Sequence, residues 1–447
     1  MSQEALLIYK KLGIAIESDF ANATVTAATK LIALRDNGVV IGNAAQQIKP
    51  GRISGRASYK SAFLGTFAPK FTIPAFGYPT GDTLKLLKLA LGQSSSVEVA
   101  SFTVTLNTND YIDMTEDGGS EIHIQLTAGT YKAGSTSADA GTLCALIKTQ
   151  IEAGNGAATY TVSYSPTTKK FTITKNSGVF VIKFATGTNT SKNAAALLGF
   201  TVADTASAIA ATSDSTVASV WDHTLTPLDA ITYGLSAGMT AQIGLANGKV
   251  YDVLDSVVDV LKISYKPNQE LWYDVECEAR KVSDSVATLS ALTEETNQPL
   301  MFSQLGLTLG GSSKSVSGLE ISYGNNYKKD LHVNSQYRSK FVRNGFREVT
   351  GTFTFELADS NAFSVYDAML AGTQPALVAT FTGAASGIKT GFAFTKTITL
   401  GKIQYNLEAV PGGGGQAAPD APIPFIALDD GTNGELKIVV RNDASSI

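Results

Sequence analysis

The stretch TGTFTF (residues 350–355) alternates hydroxyl or glycine positions with phenylalanine, and SGRASY (residues 54–59) writes a related phrase almost 300 residues earlier, at an offset of 350 − 54 = 296. Each follows a glycine turn by a few residues, Asn344-Gly345 in one case and Pro50-Gly51 in the other. Period-two alternation of this kind, bounded by Gly, Asn and Pro, marks a half-buried antiparallel strand. KFTITK (170–175), TYTVSY (159–164) and ELKIVV (435–440) share it, so the chain reads as mainly β with minor α. In DDGTNGE (429–435), Asn433-Gly434 stands between two such runs and predicts a hairpin.

Three segments carry helical periodicity instead. GDTLKLLKLALG (81–92) offers Asp82 or Thr83 as N-cap, leucines at 84, 87 and 91, and a closing glycine. SNAFSVYDAMLAG (360–372) has the same plan, with Phe363, Tyr366 and Leu370 as its apolar face and Gly372 as its stop. In ADAGTLCALIKTQIEAG (138–154), Leu143, Leu146, Ile147 and Ile151 share a face.

The first two helices extend the echo. Their stop glycines are offset by 372 − 92 = 280 residues, 16 fewer than the strands, and FAPKFTIPAFGYPTG (67–81) accounts for the difference as an extended arm. The order strand, helix, apolar strand therefore occurs twice. Residues 100–219 have no counterpart in the second half; they are rich in Thr, Ser, Ala and Gly and include a short helical run at 193–198. The expected organisation is a first module over 1–99, an inserted surface domain over 100–219, completion of the first module over 220–285, and a second module over 286–447. An insertion at a loop tip costs little closure entropy.

Composition excludes several functions. Charged residues make up 17 % of the chain and the net charge is −4, so no basic surface draws it to nucleic acid. Cys144 and Cys277 are the only thiols, too few for a disulfide framework or a zinc site, and are expected to be buried. The N-terminal run breaks its apolar residues with charge, and no signal peptide or membrane span is expected.

Catalytic and ligand motifs are near misses. GAASGIKT (383–390) has three residues between its glycines, one short of a phosphate-binding loop. DDGTNGE lacks the ligand spacing of a calcium loop, and PGGGG (411–415) opens no helix. His123, His223 and His332 each stand alone, and no metal, cofactor or catalytic residue is expected. Phe71, Pro74, Phe76 and Tyr78 form either a sugar-binding platform or an arm that packs on a neighbouring subunit.

A β-rich module with one helix, preceded by a long polar loop that ends in a turn, occurs in NGVVIGNAAQQIKPGRISGRASY and in VSGLEISYGNNYKKDLHVNSQYRSKFVRNGFREVTGTFTFEL. This pattern resembles the major tail tube proteins of long-tailed, siphovirus-like bacteriophages. The resemblance implies two β-sandwich or barrel modules, each with one helix, plus an inserted small α+β decoration domain. It implies a structural, non-enzymatic virion protein made in the host cytoplasm, whose trimers form pseudo-hexameric rings stacked into a conduit for DNA. The implied partners are further copies of itself, a tape measure protein inside, terminator and tip proteins at the ends, and viral DNA in transit without specific binding, with no membrane. Assembly contacts are expected from Pro50, Gly51, Arg52, Tyr323, Asn326, Tyr327, Tyr337, Arg343, Asn344, Gly345 and Arg347. A carbohydrate-binding adhesin on a virion or cell surface is the rival reading.

Overall fold

The computed structural model describes residues 11–17, 27–35, 38–42, 47–48, 63–64, 67–155, 158–228, 238–245, 248–285, 289, 292–328, 337–338, 341–356, 360–406 and 420–447. Strands dominate, as the alternation requires, with helices α1 (Thr83–Leu91), α2 (Leu143–Asn155), α3 (Ala195–Leu198) and α4 (Ser360–Leu370) among the described residues. SGRASY lies outside them.

Helix α1 begins after Asp82, whose carboxylate pairs with Lys85 at 2.8 Å rather than capping the backbone. It ends at Gly92, where φ is +88°, and buries Leu84, Leu86, Leu87 and Leu91. Helix α4 likewise stops before a left-handed Gly372, φ +67°. Among its described side chains Val365 is buried, whereas Leu370, expected on the apolar face, is 67 % exposed. Five residues past Val365 a helix has turned roughly 140° away from it, which corrects that expectation. The side chains of Phe363 and Tyr366 lie outside the described set.

The larger sheet has eleven strands and holds TGTFTF within its Glu348–Glu356 strand. Its centre is the long Val250–Tyr265 strand, which serves two sets of neighbours. The first half pairs with Met239–Gly244 and Lys281–Asp284, the second with Trp272–Glu278 and Gly318–Gly324. An irregularity between Val253 and Ser256, which includes Asp255 at φ +50°, and a bulge between Val258 and Val260 let one strand change partners in this way. Outward from this strand the order on one side is Trp272–Glu278, Lys70–Phe76, then the stretch around Leu34 and Gly42. On the other side it is Gly318–Gly324, Glu348–Glu356, Asp420–Leu428, Lys402–Tyr405.

The strand before α1 is therefore Lys70–Phe76, just as Glu348–Glu356 stands before α4. KFTIPAF is built into the sheet next to its edge, and the expected extended arm is corrected to a strand. Pro74 points its carbonyl to the Arg35 N–H at 2.8 Å, so the donor it lacks falls on that side and takes nothing from the ladder with Trp272–Glu278.

The second sheet has seven strands, in the order Ser312–Lys314, Leu305–Leu309, Leu377–Thr382, Thr395–Leu400, Lys437–Asn442, Val220–Pro227, Gly92–Val99. Its apolar face and that of the larger sheet share one core, joined by contacts such as Tyr265 against Phe381 at 5.5 Å between ring centroids. DDGTNGE is a turn, with Gly434 at φ +68° and Asp430 accepting the Asn433 N–H at 2.6 Å. It does not close a hairpin: the strand before it belongs to the larger sheet and the strand after it to the second. Local turn chemistry cannot tell a hairpin from a crossing between layers.

Two hairpins lie side by side in this second sheet, on either side of Lys437–Asn442. Thr382 faces Thr395 at the tip of one, and Val99 faces Val220 at the tip of the other. The first tip carries a short loop; the second carries residues 100–219. A separate core cluster is drawn entirely from residues within that span, from Phe102 to Ala211, and includes the α2 face Leu143, Cys144, Ile147 and Ile151. Cys277 is buried in the main core, as expected of an unpaired thiol.

Candidate functional site

Strand alternation gives the larger sheet a second face, away from the core. On Gly318–Gly324, Leu319, Ile321 and Tyr323 point into the core, so Glu320 and Ser322 lie opposite. Glu348–Glu356 buries Val349, Phe353 and Phe355 and turns Thr350, Thr352 and Thr354 outward. Trp272–Glu278 buries Tyr273, Val275 and Cys277 and presents Asp274 and Glu276. Lys70–Phe76 presents Lys70 and Thr72.

Two cations on this face are held in ion pairs, while Lys402 is exposed and makes none among the described residues. Lys262 reaches Glu276 at 2.9 Å, and Lys70 reaches Glu278 at 2.7 Å. The hydrogen bond to Glu276, with Asp274 and Glu320 nearby, holds the Lys262 ammonium above its ordinary range. Among the described residues Asp274 and Glu320 make no ion pair of their own. The surface is hydroxyl-rich and carries carboxylates, so it repels phosphates more than it attracts them.

A sequence model of the phage tail tube protein family matches residues 10–427. The chain belongs to that family. No curated protein matches it. It is a structural component of the phage virion tail, and mainly β as such a tube protein is expected to be.

The expected contact residues of this tail tube protein divide sharply. Pro50, Gly51 and Arg52 lie outside the described residues. Tyr323 is wholly buried, its hydroxyl 3.3 Å from Asn325 Oδ1, and desolvation pushes its phenol well up. Tyr327 is 8 % exposed, its phenol pushed up to about 12 by burial, and it packs on Phe341. Both side chains pack inside this chain rather than standing on its surface, contrary to what is expected of exposed contact residues. Tyr337 stacks on Phe67 at 5.1 Å. Arg343 and Arg347 both donate to the Leu228 carbonyl, at 3.2 and 3.0 Å, and Asn344 N–H bonds to the Asn326 carbonyl.

Asn326 is exposed at φ +52°, and the turn at Asn344-Gly345 folds back onto it. Phe346, which alternation did not single out, is 96 % exposed at the tip of that turn. Of the arm residues, Phe71 is 3 % exposed in the core, and Phe76 lines a cleft of about 440 Å³ with Arg35, Lys266, Glu270 and Trp272. The Tyr78 carbonyl accepts the Lys396 ammonium at 2.8 Å.

One cluster has ligand-like composition, Asp113, Glu121 and His123, with atoms within 4.8 Å of one another. Its carboxylates are engaged by the chain itself. Asp113 accepts the Asn189 N–H at 2.5 Å and lies 2.9 Å from His123 Nδ1, and Glu121 accepts the Thr188 N–H at 2.7 Å. The cluster pins the 188–189 turn to the hairpin. His223 is buried between Ser96 and Asn442.

Proposed function

We propose that the chain self-assembles into stacked rings that form the tail tube of a siphovirus-like phage, with the polar face of the larger sheet lining the bore through which DNA passes. The observation that carries this reading is the repetition inside that sheet. The run around Leu34, then Lys70–Phe76, Trp272–Glu278 and Val250–Tyr265, has the same connectivity and direction as the run Gly318–Gly324, Glu348–Glu356, Asp420–Leu428 and Lys402–Tyr405. In each, the second strand precedes a helix and the last two are consecutive in sequence.

Such a repeat is what a duplicated tube module leaves behind. Three chains would then supply six modules, giving a trimeric ring with pseudo-sixfold character. The second sheet does not follow the same rule, because its two hairpins flank Lys437–Asn442 in opposite order; there the halves are interlocked. Residues 100–219, with their own core, act as a domain inserted in the first module and displayed on the tube exterior. Tape measure protein inside the bore and terminator and tip proteins at its ends are the partners this role requires.

Electron microscopy of the purified protein tests assembly: rings or tubes with an axial hole are expected, and persistent monomers would sink the reading. Glu320→Lys with Asp274→Lys tests the bore. Tubes of normal shape that bind DNA non-specifically at low salt are expected, with binding lost as salt rises; tubes indifferent to DNA would place this face elsewhere.

A further inference from the structure

The two runs of the larger sheet are joined inside one chain, and that junction shows how two chains can be joined. Val250–Tyr265, the last strand of the first run, pairs antiparallel with Gly318–Gly324, the first strand of the second. The open ends are the equivalents of these two strands: the stretch around Leu34 and Gly42 at one edge, and Lys402–Tyr405 at the other. Among the described residues no ladder covers either outer side. An unpaired strand edge is an aggregation hazard unless something specific occupies it.

We propose that ring closure pairs the Lys402–Tyr405 edge of one copy with the Ile41–Gly42 edge of the next, in the register the chain already uses between Val250–Tyr265 and Gly318–Gly324. This rests on the ring-forming function proposed above and specifies its contact. Setting Ile73 on Gly351 aligns the two runs. Lys70 then falls on Glu348, and their partners Gly42 and Gly324 coincide. Ala75 falls on Phe353, with partners Leu34 and Leu319, but 42 − 34 = 8 residues separate the partners on the first edge strand against 324 − 319 = 5 on the second, so the shared register holds at the Gly42 end and three extra residues break it towards Leu34. On the far side Val275 falls on Phe425, and their partners Leu261 and Tyr405 coincide. Inside the chain Leu261 faces Tyr323 and Val260 faces Gly324. Between chains Tyr405 therefore faces Ile41, and Gln404 faces Gly42.

Backbone directions agree independently. Gly42 N–H points inward to the Lys70 carbonyl at 2.8 Å, so Ile41 N–H faces the open side. Asn406 N–H points inward to the Pro424 carbonyl at 2.9 Å, so Tyr405 N–H also faces out. The internal junction has the same phase: Asn325 N–H bonds to the Asp259 carbonyl at 2.8 Å, which makes Leu261 and Tyr323 the next hydrogen-bonded pair. Side chains match as well. Ile41 packs against the main core as Tyr323 does, and Tyr405 is 5 % exposed. One residue further out, the Pro375 carbonyl takes the Ile403 N–H at 2.9 Å, so the open stretch begins at Gln404.

Gln404 and Gly42 would form a non-hydrogen-bonded pair with Cα atoms about 4.5 Å apart, within disulfide range. A Cβ at Gly42 meets only the Lys70 carbonyl, at 3.8 Å. Gly42→Cys combined with Gln404→Cys, oxidised in assembled tubes, should give a ladder of covalent multimers on a non-reducing gel. Each single variant should stay monomeric, since Cys144 and Cys277 are buried. Val40→Cys with Asn406→Cys is the neighbouring pair of the same type, at exposed positions, and should behave alike. Tubes that form normally while neither pair cross-links would overturn this contact and leave the tube function standing. Failure of the unmodified chain to form any ring would overturn both.

Discussion

Val99 and Val220 face each other across the tip of a two-stranded hairpin, although residues 100–219 run between them. The two strands continue in unbroken antiparallel register down to Gly92 and Pro227. A domain has been placed where a tight turn would suffice, and side chains on both parts tie it to the body. Glu98 accepts the Ala133 N–H at 2.7 Å, Lys389 lies 3.7 Å from the centre of the Phe102 ring, and Lys169 pairs with Asp443. Lys389 comes from the tip loop of the adjacent hairpin, the GAASGIKT stretch. That loop supports a neighbour rather than cradling phosphate.

Replacing residues 100–219 by a two-residue Asn-Gly turn should leave the body folded and able to assemble, because the deleted core is separate and the register at Val99 and Val220 suits a tight turn. Circular dichroism, thermal melting and electron microscopy should report a folded chain and tubes of unchanged bore that lack outer density. An unfolded product would refute the independence of the two cores.

Gly351, inside TGTFTF, has no room for a side chain: a Cβ there would sit 2.3 Å from Phe425 Cζ and 2.6 Å from the Glu320 carbonyl. Gly351→Ala should therefore cost about 1–3 kcal/mol by overpacking. A denaturation midpoint equal to that of the unmodified protein would contradict the close packing of Phe425 over this strand.

Lys396 is fully buried with no carboxylate beside it; its ammonium donates to the Tyr78 carbonyl and the Tyr273 hydroxyl. Desolvation lowers its pKa to about 7, from 10.5. Between these values the unfolded chain holds a proton that the folded chain lacks, so stability rises with pH, by about 1.4 kcal/mol per unit at most. It is lost again as pH falls towards 7. Comparing Lys396→Met with the unmodified protein over pH 7 to 9 isolates this slope from the smaller one due to Lys389, lowered by burial to about 8. Parallel stability curves for the two proteins would show that Lys396 does not titrate there.

The acid side depends on His223. Asn442 Oδ1 accepts the Ala444 N–H at 2.9 Å and lies 2.9 Å from His223 Nε2, which assigns the ring proton to Nε2 and leaves Nδ1 to accept the Ser96 hydroxyl at 2.8 Å. Burial lowers the ring's pKa below 6.5. The neutral ring contributes its full stability above 6.5, and that contribution declines as pH falls below it. His223→Gln should flatten the loss between pH 6.5 and 5, read from melting temperatures. A histidine signal titrating normally at 6.5 in the folded protein would oppose this assignment.

Much of the fold was legible because its signals are local. Alternation identified the strands, and glycines at 92 and 372 marked the ends of α1 and α4 through left-handed backbone that other residues resist. The echo between the two halves was also visible, but it was anchored on SGRASY, which lies outside the described residues. With Lys70–Phe76 as the strand before α1, Ile73 and Gly351 are offset by 351 − 73 = 278, within two residues of the 280 separating the helix stops. The prolines in KFTIPAF and YPTG had masked that strand as an arm. Tyr323 and Tyr327 look like contact residues in a polar, tyrosine-rich loop; only their neighbours show that both are core.

The sequence by itself determined which segments are strands, where helices stop, and that residues 100–219 form a compositional unit. It also determined the slight excess of acidic over basic residues, since charge is counted residue by residue. The tertiary structure alone decided which strands are neighbours, that DDGTNGE crosses between sheets, that threonines and carboxylates share one face, and that no ladder among the described residues covers the outer side of Lys402–Tyr405 or of the stretch around Gly42. Strand pairing joins residues hundreds of positions apart through backbone groups that every residue carries, so side-chain pattern defines the elements but leaves their order to packing.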